Sequence, residues 1–208
     1  MGEIRFRLAK PSDAKQIANC HWHVRDRYSQ GIFLSLGKGF LREYYKVLLN
    51  DPWEVVVCGV KEDGKIVGFC SATMDAKKQA ENITSHKFVL GLAALKAVLI
   101  HPSLIKALIQ RYKSFKDDNA PQFVTTSGVR SEYVCWMKDE ANTIYMAAME
   151  RAKSRILLGM GVREIQFEVD SHNEKLVDYH LHTSGAEKVG ETTLPDGRIR
   201  YLFKRKLR

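Results

Sequence analysis

The chain has 208 residues, 45% of them apolar and 27% charged, with a formal net charge of +9. That composition can bury one sizeable core, and five prolines without a long Gly/Ser tract argue against a flexible linker, so a single domain over 1–208 is expected. The positive excess points to anionic partners, whether coenzyme phosphates, nucleic acid or an acidic membrane face.

Met1-Gly2-Glu3-Ile4-Arg5 lacks the apolar run of a signal peptide. Cys20, Cys58, Cys70 and Cys135 have neither zinc-like nor redox-like spacing. A cytoplasmic location is expected on both counts. Ile4 to Leu8 alternates apolar and basic residues and reads as a half-buried strand. Pro11-Ser12-Asp13 breaks the chain and offers a helix cap, after which Ile17, Cys20, His21 and Val24 recur at helical spacing. A second helix is predicted over Lys38 to Leu49. Glu54 to Val60 and Ile66 to Ala72 are strands joined by Lys61-Glu62-Asp63-Gly64-Lys65, an Asp-Gly hairpin signal.

From about 75 to 130 the chain reads as a mostly helical insertion. Phe88 to Ile100 is nearly continuously apolar, short of the about 20 residues a membrane span needs. After Pro102, Leu104, Ile105, Leu108, Ile109 and Tyr112 continue the pattern among Lys106, Arg111 and Lys113. Two readings fit: core or lid helices, or a basic amphipathic element on a membrane surface or a dimer partner. Asp117 to Pro121 and Thr125 to Gly128 read as a connection back to the sheet. Then come a strand, Tyr133-Val134-Cys135-Trp136-Met137, a polar loop, a helix ending near Gly159, and a strand over Ile165 to Val169. A turn with Asn173, another helix, and a closing hairpin with its turn at Pro195-Asp196-Gly197 complete the chain.

This order resembles the GNAT acetyltransferase family over nearly the full length. Gly64-Lys65-Ile66-Val67-Gly68-Phe69 is similar to that family's central hairpin, and Gly161 to Val169 with the later Asn173 is similar to its second half. Phe33-Leu34-Ser35-Leu36-Gly37 together with the insertion resembles a bacterial subgroup associated with surface-sugar biosynthesis. The resemblance implies an α/β (α+β) acyl-CoA N-acyltransferase fold, a mixed sheet flanked by helices, with the insertion preceding the central strand. It implies an enzyme moving acetyl from acetyl-CoA to an amine of a small molecule or sugar. Tyr133, Val134, Cys135, Trp136 and Met137 would bind pantetheine, and Asp139, Glu140, Ala141, Asn142 and Thr143 would face the pyrophosphate, with Asn173 contributing from the later turn.

That polar loop contains no glycine where relatives have a basic, glycine-rich one. A helix start still offers free amides and a positive dipole, whereas Asp139 and Glu140 oppose an anion unless they turn outward. A catalytically weak binding or assembly protein, or a peripheral membrane or anion-binding module, therefore stands beside the enzyme reading; a homodimer is possible. For amine deprotonation Glu132 is the leading base, with Glu168 and Asp170 as alternates. Tyr179 is the preferred acid and His180 the second; neighbours on a helix point about 100° apart, so one of them faces the thioester.

Leu36-Gly37-Lys38-Gly39-Phe40 lacks the spacing of a phosphate loop. The pairs His21/His23 and His180/His182 do not share a helix face, so no metal site is expected. No helix-turn-helix, zinc-finger or RNA-recognition pattern accompanies the charge, so nucleic acid is not an expected partner.

Overall fold

Asp63 and Gly64 organise the middle of the sheet through local bonds. Asp63 Oδ1 accepts from the Lys65 amide at 2.9 Å. Gly64 takes a φ of +83°, a conformation open to glycine at little cost, and its amide donates to the Lys61 carbonyl at 2.9 Å. The two strands leaving this turn are therefore set in antiparallel register.

The computed structural model describes residues 3–26, 32–106, 108–109, 127–140, 142–193 and 197–208. In chain order they form β1 (Ile4–Leu8), α1 (Ala14–His23), a short α2 (Ile32–Ser35), α3 (Gly37–Leu49), β2 (Glu54–Lys61) and β3 (Ile66–Thr73). The insertion contributes α4 (Ala76–Ser85) and α5 (Lys87–Ile100). There follow β4 (Arg130–Trp136), α6 (Thr143–Gly159), β5 (Glu164–Asp170), α7 (Glu174–His182), β6 (Ala186–Thr193) and β7 (Ile199–Lys206). One sheet of order β1-β2-β3-β4-β5-β7-β6 results, antiparallel except where β4 lies parallel to β5.

The β2 and β3 runs are apolar at consecutive positions because both of their faces are covered. On one face, Ile17 of α1 and Leu41, Tyr45 and Leu48 of α3 pack with Cys58 and Phe69. On the other, Met149 of α6 packs with Val57, Val67, Cys70 and Trp136. Farther along α6, Leu157 joins Ile165, Phe167 and Phe203. All four cysteines are buried, unbridged members of these cores. Burial pushes the Cys20 and Cys58 thiols up to about 12.

Several boundaries differ from expectation. β4 begins at Arg130, before the expected Tyr133, and ends before Met137. Arg130-Ser131-Glu132 is too polar to read as a strand, yet it pairs with β3 because its two charges neutralise one another. The insertion is mostly helical where described, but it breaks at His86, where α4 and α5 bend by 71°. Asp75 opens α4 by accepting from the amides of Lys77 and Lys78. No single described helix is long and apolar enough to cross a membrane. Tyr112 of the expected apolar pattern, Asp117 to Pro121 and Thr125-Thr126 of the expected connection, and Pro195-Asp196 lie outside the described residues.

Candidate functional site

Ser71 of β3 lies opposite two residues of β4, Glu132 and Tyr133. The register passes from Cys70↔Val134 to Ala72↔Ser131, and the Tyr133 amide donates to Ser71 Oγ at 3.2 Å. Such a bulge bends its strand and interrupts pairing. On the other edge of β4, the described residues pair with β5 at a single position, Arg130↔Gln166. The two parallel strands therefore start together and part at the bulge, leaving the rest of that β4 edge unladdered by β5.

Strand geometry decides which main-chain groups face this opening. The Tyr133 amide is used by Ser71, and the Met137 amide donates to the Val67 carbonyl at 2.8 Å. Both point to β3, so of the expected run Tyr133 to Met137 these two amides are already engaged within the sheet. Amides alternate between strand edges, so Val134 and Trp136 turn theirs toward β5. The Cys135 side chain is buried against the α1–α3 face. The Trp136 indole lies over Gly68 and Gly59, where a Cβ on Gly68 would overlap the ring. Tyr145 stacks on that indole, centroids 6.3 Å apart and planes at 8°, and the indole N–H donates to the Glu140 carbonyl. Trp136 thus fastens the following loop to the sheet.

That loop enters α6 through a short 3-10 turn over Lys138–Glu140. Glu140 is paired with the β2–β3 hairpin: its carboxylate lies 2.9 Å from Lys61 Nζ and 3.5 Å from Lys65 Nζ. The Lys61 hydrogen bond, first among its causes, holds the Glu140 carboxyl below its ordinary value. Asp139 is 82% exposed and lies 3.4 Å from His23. Asn142 caps α6, its Oδ1 accepting from the amides of Ile144 at 2.9 Å and Tyr145 at 3.2 Å. Thr143 is the first helical residue, where an amide has no intrahelical acceptor. Ala141 lies outside the described residues.

At the base of the opening sits a buried polar cluster. Glu132 is ion-paired with Arg130 at 2.7 Å, their side chains 9% and 14% exposed. Gln79 of α4 reaches down between two carboxylates, its Nε2 donating to Glu54 Oε1 at 2.6 Å and to Glu132 Oε2 at 2.9 Å. Arg130 donates to Gln79 Oε1 at 2.8 Å. Burial first, and then the Glu132 charge, push the Glu54 carboxyl well above its ordinary value. Its Oε2 is buried without a hydrogen-bond partner. Burial opposes the Arg130 charge, yet Glu132 keeps that guanidinium's pKa raised. The alternate bases are paired too: Glu168 with Arg200 of β7 at 3.2 Å and Asp170 with Arg198, just before β7, at 2.7 Å. Burial would raise the Asp170 carboxyl, but the His172 amide and Arg198 hold it below the ordinary value.

On α7 the two expected acid candidates separate as helical geometry requires. Tyr179 is 44% exposed. His180 is turned inward, its ring 4.5 Å from Phe167 and 5.5 Å from Phe203, with Nδ1 3.1 Å from Ser184 Oγ. Burial, and then the charge of Arg205, lower its pKa to about 4. Asn173 starts α7 through its carbonyl, which accepts from the Leu176 and Val177 amides, while its side chain makes no cap bond.

Sequence reading missed Glu54, Gln79, Arg130 and Lys153. Lys153 left a usable signal, since it follows Met149 and precedes Leu157 at the four-residue spacing of a buried helix face. Gln79 left none, because a polar residue on a polar helix looks like surface. Among the described residues no group of three or more His, Cys, Asp or Glu could hold a metal ion.

No family model matches the sequence, and no curated protein matches it. Solved structures do match. SsHAT superposes with a TM-score of 0.62 at 14% identity over 99% of both chains. A GNAT family acetyltransferase from Bacillus cereus gives 0.54 at 14%, over 99% of this chain and 98% of that one. The PaiA N-acetyltransferase from Thermoplasma acidophilum, in complex with coenzyme A, gives 0.56 at 10%, over 98% and 99%. The chain has the fold of the GNAT acyl-CoA N-acyltransferases, as its sequence pattern led one to expect.

Proposed function

We propose that this chain is an acyltransferase that moves an acetyl group from acetyl-CoA to the amine of a small molecule or sugar. The observation that carries the reading is the parting of β4 from β5 at the Glu132–Tyr133 bulge, beside a helix start. The fit to coenzyme A rests on three features of that opening. The Val134 and Trp136 amides supply main-chain donors to an extended pantetheine. The Thr143 amide, with Lys138 in the turn before it and the Glu140-paired Lys61 and Lys65, meets phosphate charge. Glu140, which would repel that charge, is held by Lys61 and Lys65. The bound coenzyme supplies the acyl thioester.

The residues of the chain then handle protons. An alkyl ammonium has a pKa near ~10.4, so the acceptor must lose a proton before its nitrogen can form the new C–N bond. Glu132 is the carboxylate for that step, held in place by Arg130 and Gln79. The neutral amine adds to the thioester carbonyl; as the adduct collapses the C–S bond breaks, the leaving sulfur takes the Tyr179 proton, and the second nitrogen proton passes through solvent to restore the Tyr179 phenol. His180 packs between aromatic rings and supports α7.

A second reading has its own observation: Asn142 already occupies the amides of Ile144 and Tyr145. A protein that kept the fold without the coenzyme would present such a self-satisfied helix start. Thermal unfolding with increasing acetyl-CoA separates the two. Saturable stabilisation is expected for the enzyme, because a ligand bound by the native state alone raises its stability. An unmoved midpoint at millimolar ligand would establish the second reading. With binding shown, Glu132→Gln is expected to lower turnover by about a hundredfold or more while leaving coenzyme affinity in place.

A further inference from the structure

α5 is held to the body of the protein by Leu90 and Ala94, which are buried in the core that α3 shares. Its other side is open. Phe88 is 81% exposed, Leu92 73%, Leu95 47% and Leu99 71%. Their spacing of four, three and four residues sets all of them on one line along the helix. Val89 and Ile100 widen that line at 51% and 61% exposure. A contiguous apolar surface of this kind marks an interaction site rather than ordinary surface scatter.

Charge narrows the choice of occupant. From 82 to 106 the sequence contains Lys87, Lys96 and Lys106 but no Asp or Glu. Lys87 and Lys96 are both exposed, and at about 100° per residue they fall on opposite flanks of the apolar line. A second copy of the chain packed on this face would bring like charges together with no carboxylate from either helix to meet them. An anionic surface meets them directly. The line from Phe88 to Leu99 is only roughly 16 Å long, so it lies along a bilayer surface and does not cross it.

We propose that α5 docks on an anionic lipid surface. Phe88, Leu92, Leu95 and Leu99 enter the boundary between headgroups and acyl chains, and Lys87 and Lys96 meet the lipid phosphates. This proposal is independent of the acyltransferase reading.

Co-sedimentation of the full chain with vesicles tests it, using phosphatidylcholine alone and phosphatidylcholine mixed with phosphatidylglycerol. Binding is expected to the mixed vesicles, and it weakens as salt screens the lysines. Phe88→Glu combined with Leu92→Glu removes two exposed anchors and is expected to weaken partitioning by at least about tenfold. Val189→Glu, an exposed change on β6, is expected to leave partitioning intact. A thermal melt confirms that each variant folds. The proposal is overturned by absence of the wild type from mixed-vesicle pellets, or by equal pelleting of the double variant. It is also overturned if the double variant abolishes a concentration-dependent dimer in a protein that does not pellet with lipid.

Discussion

Lys153 Nζ lies 2.6 Å from Ser131 Oγ and 3.3 Å from the Ser71 carbonyl. A fully buried lysine of α6 therefore ties together the two strands that flank the β4 bulge. Its third partner is Glu150, at 2.7 Å and one turn earlier. Burial opposes the Glu150 charge, but Lys153, and then Arg205, keep the Glu150 carboxyl below its ordinary value.

Removing the lysine charge should therefore be costly. Lys153→Met fills similar space but strips Glu150 of its nearer cation and leaves Arg205 at 3.6 Å. A loss of about 3 kcal/mol is expected, the usual size when one partner of a buried pair is removed. Adding Glu150→Gln should recover part of it. Urea denaturation measures both, and a Lys153→Met midpoint equal to wild type would show that the clamp contributes nothing to stability.

Gly68 and Trp136 are opposed across β3 and β4. A methyl on Gly68 would overlap the indole, so Gly68→Ala is expected to cost about 2 kcal/mol or more by overpacking. In a Trp136→Leu background the same change should cost much less, because the atoms it meets are gone. Equal costs in the two backgrounds would show that the sheet gives way elsewhere.

His21 is buried against Tyr45, its Nδ1 2.7 Å from the phenol oxygen, and burial lowers its pKa from 6.5 to about 4. The unfolded chain binds that proton first as pH falls. The His21 contribution is full above pH 6.5 and is lost as pH falls through about 4. His180, lowered likewise to about 4, contributes in the same window. His21→Gln keeps a hydrogen-bonding side chain but does not titrate. Stability of that variant between these pH values should fall less steeply than wild type, and identical slopes would exclude His21 as a source of the acid sensitivity.

Glu140 holds Lys61 and Lys65 at the edge of the proposed phosphate site. Glu140→Gln should free both cations and tighten acetyl-CoA binding about threefold, whereas Lys61→Gln with Lys65→Gln should weaken it about tenfold. Titration calorimetry at low and high salt reads both effects. Weaker binding in Glu140→Gln would mean that Glu140 positions the loop and does not compete with the ligand.

Much of the fold was legible because its signals are local. The Asp63-Gly64 turn specifies its hairpin through bonds spanning only a few residues. β5 alternates along Ile165, Phe167 and Val169, all buried, with the intervening residues turned toward solvent or β7 partners. The first turn of β4 was not legible, because Arg130 and Glu132 read as polar loop until their pairing is known. The break at His86 was hidden as well, since a bend between two helices depends on what α5 packs against.

The candidate site was legible in its placement more than in its roles. Glu132 was located at the start of the central strand, but its partner Gln79 lies 53 residues away and reaches it from another element. Nothing near Glu168 or Asp170 in the sequence names their partners, Arg200 of β7 and Arg198 just before it. The loop from Lys138 to Thr143 is glycine-free by inspection, but Glu140 takes its direction from the hairpin lysines and Asp139 lies beside His23 of α1.

By itself the sequence determined which segments become strands and helices and in what order, because periodicity, turn residues and caps act over a few neighbouring positions. Only tertiary structure decided that β4 leaves β5 at a bulge, that Gln79 bridges two carboxylates and that Glu140 faces Lys61. Those outcomes depend on register and charge pairing between segments far apart in the chain, where the energy of each residue is set by partners its own neighbourhood does not name.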